Sequence, residues 1–534
     1  MWLINTISYE LEMFTGSKNI PPYAILSHTW GNDKDEVTFK EMVPGVESSP
    51  TAAKEGFMKI KMACTLARIE YNLDYAWVDT CCIDKSSSAE LSEAINSMFK
   101  WYQQADVCFA YLADLTPGCR DIWSCRWFSR GWTLQELIAP ERMAFFDASW
   151  TCFGDKQSLT KDLAKVSGIS EDVLRGRRSL SDVPIAVRMS WASIRHTTRE
   201  EDQAYCLLGL FDVNMPMLYG EGTRAFFRLQ QEIIKESADM SIFAWLTSNI
   251  KASPYSGLLA ESPADFEEVG SLVIFENSGY IVNDFSTTNR GIKLRAPMVY
   301  SSDNGYHFLP IFHRFPSDSL QLDTSDNLGL LYSTGILLRQ VGPDLFVRAF
   351  PRSLHPLVPV NVGIDSIRSV QVVKTLSMKE AASINSRVVC IREPVDLISS
   401  SIFQVSEVEP AGCWDLSEQK LYAGHTGFFL GYIKFKSDQN GVLLPFVLIC
   451  RFDSSRLNDP WRFAVVGDTE WTNLKPHYQE RYDFYSSSFP RVQRQIILTL
   501  PKEHAQSIGK RVVLSRLPGD ASLPEYQSII IHLE

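Results

Sequence analysis

Long lysine and arginine runs are missing from this chain of 534 residues, and its formal charge is −11. Such a balance exerts no overall pull toward a nucleic-acid backbone. Also missing is an uninterrupted apolar run of the roughly 20 residues that a membrane-spanning helix needs. The opening MWLINTISYELEMF has no basic start followed by an apolar block, so it does not read as a secretory signal. The 11 cysteines are odd in number and contain no C-x-x-C pair, which argues against a disulfide framework and against a zinc site. These absences predict a soluble, cytoplasmic protein with no membrane span, no nucleic-acid partner, no metal and no resident cofactor. What is present is a hydrophobic fraction of 45%, the composition of a globular protein, in a chain too long for one ordinary domain.

The first 150 residues alternate strand and helix patterns. YAILSHTWG (23–31) begins as an apolar strand and ends in polar residues and glycine. In the segment from Thr51 to Tyr71, Ala53, Phe57, Ile60, Cys64, Ala67 and Tyr71 recur at steps of three and four, the face of a helix. DYAWVDT (74–80) reads as a buried strand with Asp79 at its carboxyl end. A polar loop follows, then a helix carrying Leu91, Ile95, Met98 and Tyr102 on one side. DVCFAYL (106–112) is a third strand, RGWTLQEL (130–137) a helix, and RMAFFDASW (142–150) a fourth strand. This alternation predicts an α/β domain with a parallel sheet over residues 1–150, its strands near Ile25, Trp77, Phe109 and Phe145. Ligands of such sheets sit beyond the carboxyl ends of the strands. Ser27, His28, Trp30 and Gly31 follow the first strand, Asp79 and Asp84 the second, and Glu136 the third.

Residues 151–245 read as a helical extension. TRAFFRLQQEIIKES (223–237) is amphipathic, with Phe226, Leu229 and Ile233 inward, and EEDQAYCLLGLF (200–211) has similar character. LYGEGT (218–223) is a glycine-bearing loop that could seat an anion, although it lacks the Lys-Ser/Thr of a nucleotide loop. Beyond residue 246 Pro, Ser and Gly punctuate short runs such as GIKLRAPMV, DLFVRAF and RVVCIRE. YIKFKSDQNGVLLPFVLICRF (432–452) carries a hairpin signal centred on Asn440-Gly441. Residues 246–534 therefore read as a mainly antiparallel β domain without a catalytic motif.

PPYAILSHTWG, YAWVDTCCIDKSSSAELSEAINSMFKWY and RGWTLQELIAP resemble, in order and spacing, the three signature blocks of the fungal heterokaryon incompatibility (HET) domain. The opening LINT and the segment from Arg188 to Lys235 also resemble sequence that accompanies this domain. The likeness covers about the first half of the chain. It implies a role in non-self recognition and regulated cell death when unlike hyphae fuse, with self-association or other incompatibility proteins as partners. A more distant likeness joins the HET domain to the TIR domain of innate-immune receptors, which has a flavodoxin-like sheet. GWTLQEL resembles the TIR pattern Trp-Cys-x-x-Glu-Leu, with Trp132, Glu136 and Leu137 in register and Thr133 in place of the Cys. Several TIR domains cleave NAD⁺ with that Glu. The resemblance thus implies NAD⁺ as substrate, Glu136 as catalytic group, and Ser27, His28, Trp30, Gly31, Asp79 and Trp132 as binding residues.

The residue types suit that chemistry. Nicotinamide leaves NAD⁺ as a good neutral leaving group, so a carboxylate beside the oxocarbenium-like ribose is the main requirement, and no metal is needed. Trp132, one turn before Glu136, supplies an apolar wall. Other readings stand beside this one. Glu136 near a helix start also suits the helix dipole, or a pairing with Arg126 or Arg130. His28 could be a satisfied structural histidine, and Trp30, Trp77 and Trp132 core aromatics. Asp84 could merely turn its loop. Cys81 or Cys82 with His28 and Asp79 would make a rival thiol hydrolase. A non-enzymatic death-signalling module that acts by assembly is the alternative from another class.

Overall fold

A computed structural model describes residues 1–249 apart from 17, 18 and 120, then 253–274, 285–301, 306–311, 313–314, 330–342, 344–361, 367–392, 404–415, 419–424, 428–436, 445–455, 461–477, 495–498, 512–517 and 527–533. The chain divides into two compact units. The first holds Met1–Ser248, Leu259–Val282 and Ile311–Asp323, and the second holds Asn249–Leu258, Asn283–Pro310 and Thr324–Glu534. Two segments downstream of residue 246 thus belong to the first unit. Among the described residues no helix is long and apolar enough to cross a membrane.

The first unit is built on a seven-stranded sheet. Its strands are β1 (Trp2–Asn5), β2 (Leu11–Met13), β3 (Tyr23–His28), β4 (Tyr75–Trp77), β5 (Val107–Tyr111), β6 (Met143–Phe146) and β7 (Cys152–Asp155), in the order β2-β1-β4-β3-β5-β6-β7. The four strands predicted from the sequence, β3, β4, β5 and β6, pair in parallel. Their order, second-first-third-fourth, is that of a flavodoxin-like sheet. β1 and β7 flank them in antiparallel pairing. Every residue of β3 is buried, as befits a central strand covered on both faces.

Helix α1 (Glu55–Tyr71) buries Phe57, Ile60, Cys64 and Ala67, the middle of the expected face, while Ala53 lies before the helix and is exposed. Helix α2 (Ser88–Gln104) starts on a Ser87 side chain that accepts the Glu90 amide, and it buries Ile95, Met98 and Tyr102. The short α3 (Arg126–Ser129) and α4 (Thr133–Ile138) follow β5. Leu134 and Leu137 of α4 are fully buried, as expected of its inward positions.

The extension departs from the sequence reading in two places. Its first element is a strand, β7, exposed along an edge and with too little apolar patterning to announce itself. Beyond α5 (Thr160–Ser167), α6 (Glu171–Leu174) and α7 (Ile185–Ser190), the expected amphipathic helix over EEDQAYCLLGLF shortens to α8 (Asp202–Tyr205) and a 3₁₀ turn, Leu208–Leu210. Gly209 lies against α2 so closely that a Cβ there would stand 2.0 Å from Phe99 Cβ, and packing at that point overrides regular helix. Helix α9 (Arg224–Glu236) buries Phe226, Leu229 and Ile233 as predicted.

The second unit is mainly antiparallel β structure. Phe428–Lys436 pairs with Phe446–Asp453 over eight residue pairs, which then pairs with Trp461–Gly467. The Asn440-Gly441 turn between the first two strands lies outside the described residues. Phe435, Leu448, Phe452, Trp461 and Phe463 form one core of this unit.

Candidate functional site

Beyond the carboxyl ends of β3 and β4 lies a cavity of about 420 Å³, within the roughly 300–1,000 Å³ usual for small-molecule sites. His28, Trp30, Asp79, Trp132 and Glu136, five of the seven expected residues, line it. They come from two strand ends and from α4, separated by up to about a hundred residues in sequence and brought together because parallel strands all end on one edge. Trp77 is fully buried core, whereas Trp30 and Trp132 are half-buried and form cavity walls.

Glu136 sits deep, 6% exposed. The Ser27 hydroxyl donates to its Oε2 at 2.5 Å and accepts from the Trp127 indole at 2.8 Å. Ser27 therefore lies behind Glu136, where it orients the carboxyl group and does not line the cavity. Among the described residues neither Arg126 nor Arg130 makes an ion pair with Glu136, and the Arg126 guanidinium instead donates to the Trp30 carbonyl at 2.5 Å. Burial pushes the Glu136 pKa up to about 8 against the Ser27 bond, and the negative charge of Asp79 adds to the push. The group is thus a neutral acid at pH 7 in the free protein. A sequence motif cannot give this, because it depends on desolvation.

Asp79 has the opposite bias. Burial opposes its ionisation, but a bond from His28, the nearby Lys85 charge and a bond from Trp30 outweigh it and hold the pKa below the ordinary value. His28 Nε2 lies 3.1 Å from Asp79 Oδ1, and Trp30 Nε1 donates to Asp79 Oδ2 at 2.8 Å. On its other side His28 Nδ1 meets Lys59 Nζ at 3.3 Å, and Lys59 pairs with Glu36 at 2.6 Å. An ammonium only donates, so Nδ1 is the acceptor and Nε2 carries the proton given to Asp79. Both ring nitrogens are engaged, and His28 serves as a brace that orients Asp79. Gly31 is outside the cavity, its amide given to Glu36 Oε1 at 2.7 Å. The result is two carboxyl groups beside one cavity, one ionised and one protonated, the arrangement that divides acid and base roles in many enzymes.

The thiol alternative loses its geometry. Cys81 and Cys82 are buried, Cys82 Sγ accepts the Val78 amide at 3.3 Å, and Cys81 Sγ faces the Val78 carbonyl. Burial raises the Cys81 thiol well above its ordinary value, so it is not a nucleophile at neutral pH. Asp84 turns its loop, accepting the Ser86 amide and hydroxyl. The glycine loop 218–223 already holds an anion of the chain's own, because Glu201 Oε1 accepts the amides of Gly220 and Gly222 at 2.7 and 3.0 Å.

The sequence reading missed the far wall of the cavity. Thr198, Arg199, Asp202 and Tyr219 of the extension line it, together with Lys85 and Arg130. Trp132 Nε1 donates to Asp202 Oδ2 at 3.4 Å and the Tyr219 hydroxyl to Oδ1 at 3.0 Å. A strap precedes this wall. The Gly131 amide donates to the His196 carbonyl at 2.9 Å, and the His196 amide to the Ser129 carbonyl at 2.7 Å. The buried Arg195 guanidinium donates to the Arg130 carbonyl at 2.9 Å and to Thr133 Oγ1 at 3.0 Å. A Cβ on Gly131 would stand 2.6 Å from Thr197 Cγ2, so the residue before Trp132 must be small for the strap to close. The one hint in the sequence was that TTREEDQAY belongs to the segment accompanying the three blocks.

Residues 23–119 match the family model described as Heterokaryon incompatibility protein (HET). Over 231 residues the chain is 47% identical to the vegetative incompatibility protein HET-E-1 of Podospora anserina, a region that covers 41% of this chain and 17% of that relative. The chain thus spans about a sixth of the length of the curated relative it matches. No solved structure matches the chain significantly. The segment that carries β3, β4 and β5 is thus similar to the heterokaryon incompatibility (HET) domain.

Proposed function

We propose that this protein acts in heterokaryon incompatibility, triggering cell death on fusion with a non-self partner, and that its HET-domain cavity cleaves the nicotinamide–ribose bond of NAD⁺. The observation that carries the reading is the meeting of Glu136 and Asp79 at one cavity walled by Trp30 and Trp132. The name of the relative, a vegetative incompatibility protein, supports the cellular role. In the reaction the C1′–N1 bond breaks, nicotinamide takes the bonding pair and leaves neutral, and water adds to C1′ with loss of a proton. The ionised Asp79 supplies negative charge while the ribose is cationic. As the positively charged pyridinium comes alongside, Glu136 releases its proton to solvent water, because a nearby opposite charge favours the ionised form. It then faces the ribose and accepts the proton that water loses. Self-association and contact with other incompatibility proteins in the cytoplasm fit the same role.

A second reading rests on the bonds behind Glu136. A neutral carboxyl group tied to Ser27, which is in turn tied to Trp127, is also what a purely structural glutamate would look like. The domain would then kill by assembly alone. Incubating the purified full chain with NAD⁺ and measuring free nicotinamide separates the two, run both dilute and with a crowding agent that favours assembly. The enzyme reading expects nicotinamide release that rises with crowding, and no release in either condition overturns it.

A further inference from the structure

Resting on the NAD⁺ reading, we infer that Lys85, Arg130 and Arg199 form a diphosphate subsite at the mouth of the cavity. Three cationic side chains line the cavity together with the carboxyl groups of Asp33, Asp79, Glu136 and Asp202. Among the described residues none of the three head groups makes a hydrogen bond or an ion pair with the protein. Several other cations of the same unit are ion-paired, among them Lys59 with Glu36 at 2.6 Å, Lys54 with Glu41 at 2.7 Å, and Arg228 with Glu221.

Two of the heads are held over aromatic rings, with no direct ion pair but with carboxylates nearby, Asp79 and Asp33 for Lys85 and Asp202 for Arg199. The Lys85 ammonium lies 3.7 Å above the Trp30 ring, and the Arg199 guanidinium lies 4.4 Å from the centre of the Tyr219 ring. A cation over an aromatic face keeps its full charge and its donors for a ligand. Lys85 and Arg199 are exposed, Arg130 is half-buried, and Glu136 lies deepest, so the three cations, with Asp33 and Asp202, flank the approach to the acid. The three come from separate segments, the loop before α2, the loop before α4, and the extension. That spread fits an extended anion better than a single phosphate. Guanidinium groups bind phosphate oxygens through two parallel bonds, and lysine adds a point charge. A molecule with a diphosphate outside and a ribosyl group inside meets both parts of the cavity.

The subsite is tested by calorimetric titration of the full chain with ADP-ribose, which keeps the diphosphate and has no bond to cleave, and with adenosine, which has no phosphate. The variants are Arg199→Ala and Arg199→Lys, with melting curves to check folding. ADP-ribose should bind at least about tenfold tighter than adenosine, and more weakly as salt rises. Arg199→Ala should weaken ADP-ribose by about tenfold, in line with the loss of one charge-assisted contact, leave adenosine unchanged, and be partly rescued by Arg199→Lys. Equal affinity for the two ligands, or an ADP-ribose affinity that Arg199→Ala does not move, overturns the subsite. The same variants assayed for nicotinamide release keep the two ideas apart. ADP-ribose binding that depends on Arg199 without NAD⁺ cleavage supports the subsite and removes the reaction. Cleavage whose KM is unmoved by Arg199→Ala removes the subsite and leaves the reaction.

Discussion

The two units of this chain handle buried polarity in different ways. In the first, Ser27, His28, Lys59, Asp79 and Glu136 are linked by bonds around one cavity. In the second, a buried charge such as Arg387 braces nearby segments, donating to the Gly424 carbonyl and to Ser383 Oγ at 2.9 Å each. Topology explains the contrast. Parallel strands all end on the same edge, so residues far apart in sequence meet there. Antiparallel neighbours send successive ends to opposite edges, so their strand ends do not gather at one edge.

The largest expected effect on that contrast comes from the core of the second unit. Leu448→Ala removes a fully buried side chain among Phe435, Phe452 and Trp461, which should destabilise that unit by about 2–5 kcal/mol. The melting transition of the second unit should fall while the fluorescence of the cavity tryptophans at low temperature stays unchanged. Loss of both together would show that the units do not behave separately.

A smaller effect is expected at the strap of the first unit. Arg195→Met leaves the Trp191 carbonyl and the Thr133 hydroxyl without the Arg195 donor and takes one of two donors from the Arg130 carbonyl, at a cost of about 1–3 kcal/mol. Hydrogen exchange should quicken over residues 127–138 and stay unchanged in the strands 428–436 and 446–453. An unchanged rate at 127–138 would mean that the extension does not support α4.

The effect smallest per pH unit is a slope, although over its whole window it sums to about 5 kcal/mol. Glu136 titrates near 8 in the folded state, above its ordinary 4.5. Between these values the folded state holds a proton that the unfolded state has lost, so the stability this group contributes is complete below about pH 4.5 and lost as pH rises toward 8. The first unit should lose up to about 1.4 kcal/mol per pH unit across that window. Glu136→Gln, which does not titrate, should flatten the slope by that amount. Denaturant unfolding at a series of pH values checks it, and equal slopes for the two proteins would contradict the buried acid.

How much of this was legible in the sequence follows from the same contrast. Strands β3 to β6 and helices α1, α2 and α9 announced themselves because burial leaves a period in the side chains. Strand β7 did not, since an exposed edge leaves none. The site was half legible. Residues just past strand ends, His28, Trp30 and Asp79, are found by topology, and Glu136 and Trp132 by the likeness of a short motif. Arg199, Asp202 and Tyr219 were not found, because no period or motif says that a segment sixty residues beyond α4 folds back over it. Ser27 and Gly31 fall outside the cavity lining. Neighbours in sequence at a strand end point to opposite sides, so Ser27 backs Glu136 while His28 faces the cavity.

The central claim, that this carboxyl group does chemistry, is tested most directly by nicotinamide release from NAD⁺ at pH 7 by the wild-type chain and by Glu136→Gln under the same crowded conditions. The amide keeps the size of the group and its place beside Ser27, and it removes the ability to become charged. The account predicts a variant that folds, melts no lower than wild type at this pH because the neutral amide suits the buried site, and releases nicotinamide roughly 10²–10³ times more slowly, the loss usual for removing one preorganised electrostatic contact. A Glu136→Gln protein that releases nicotinamide at the wild-type rate would contradict it.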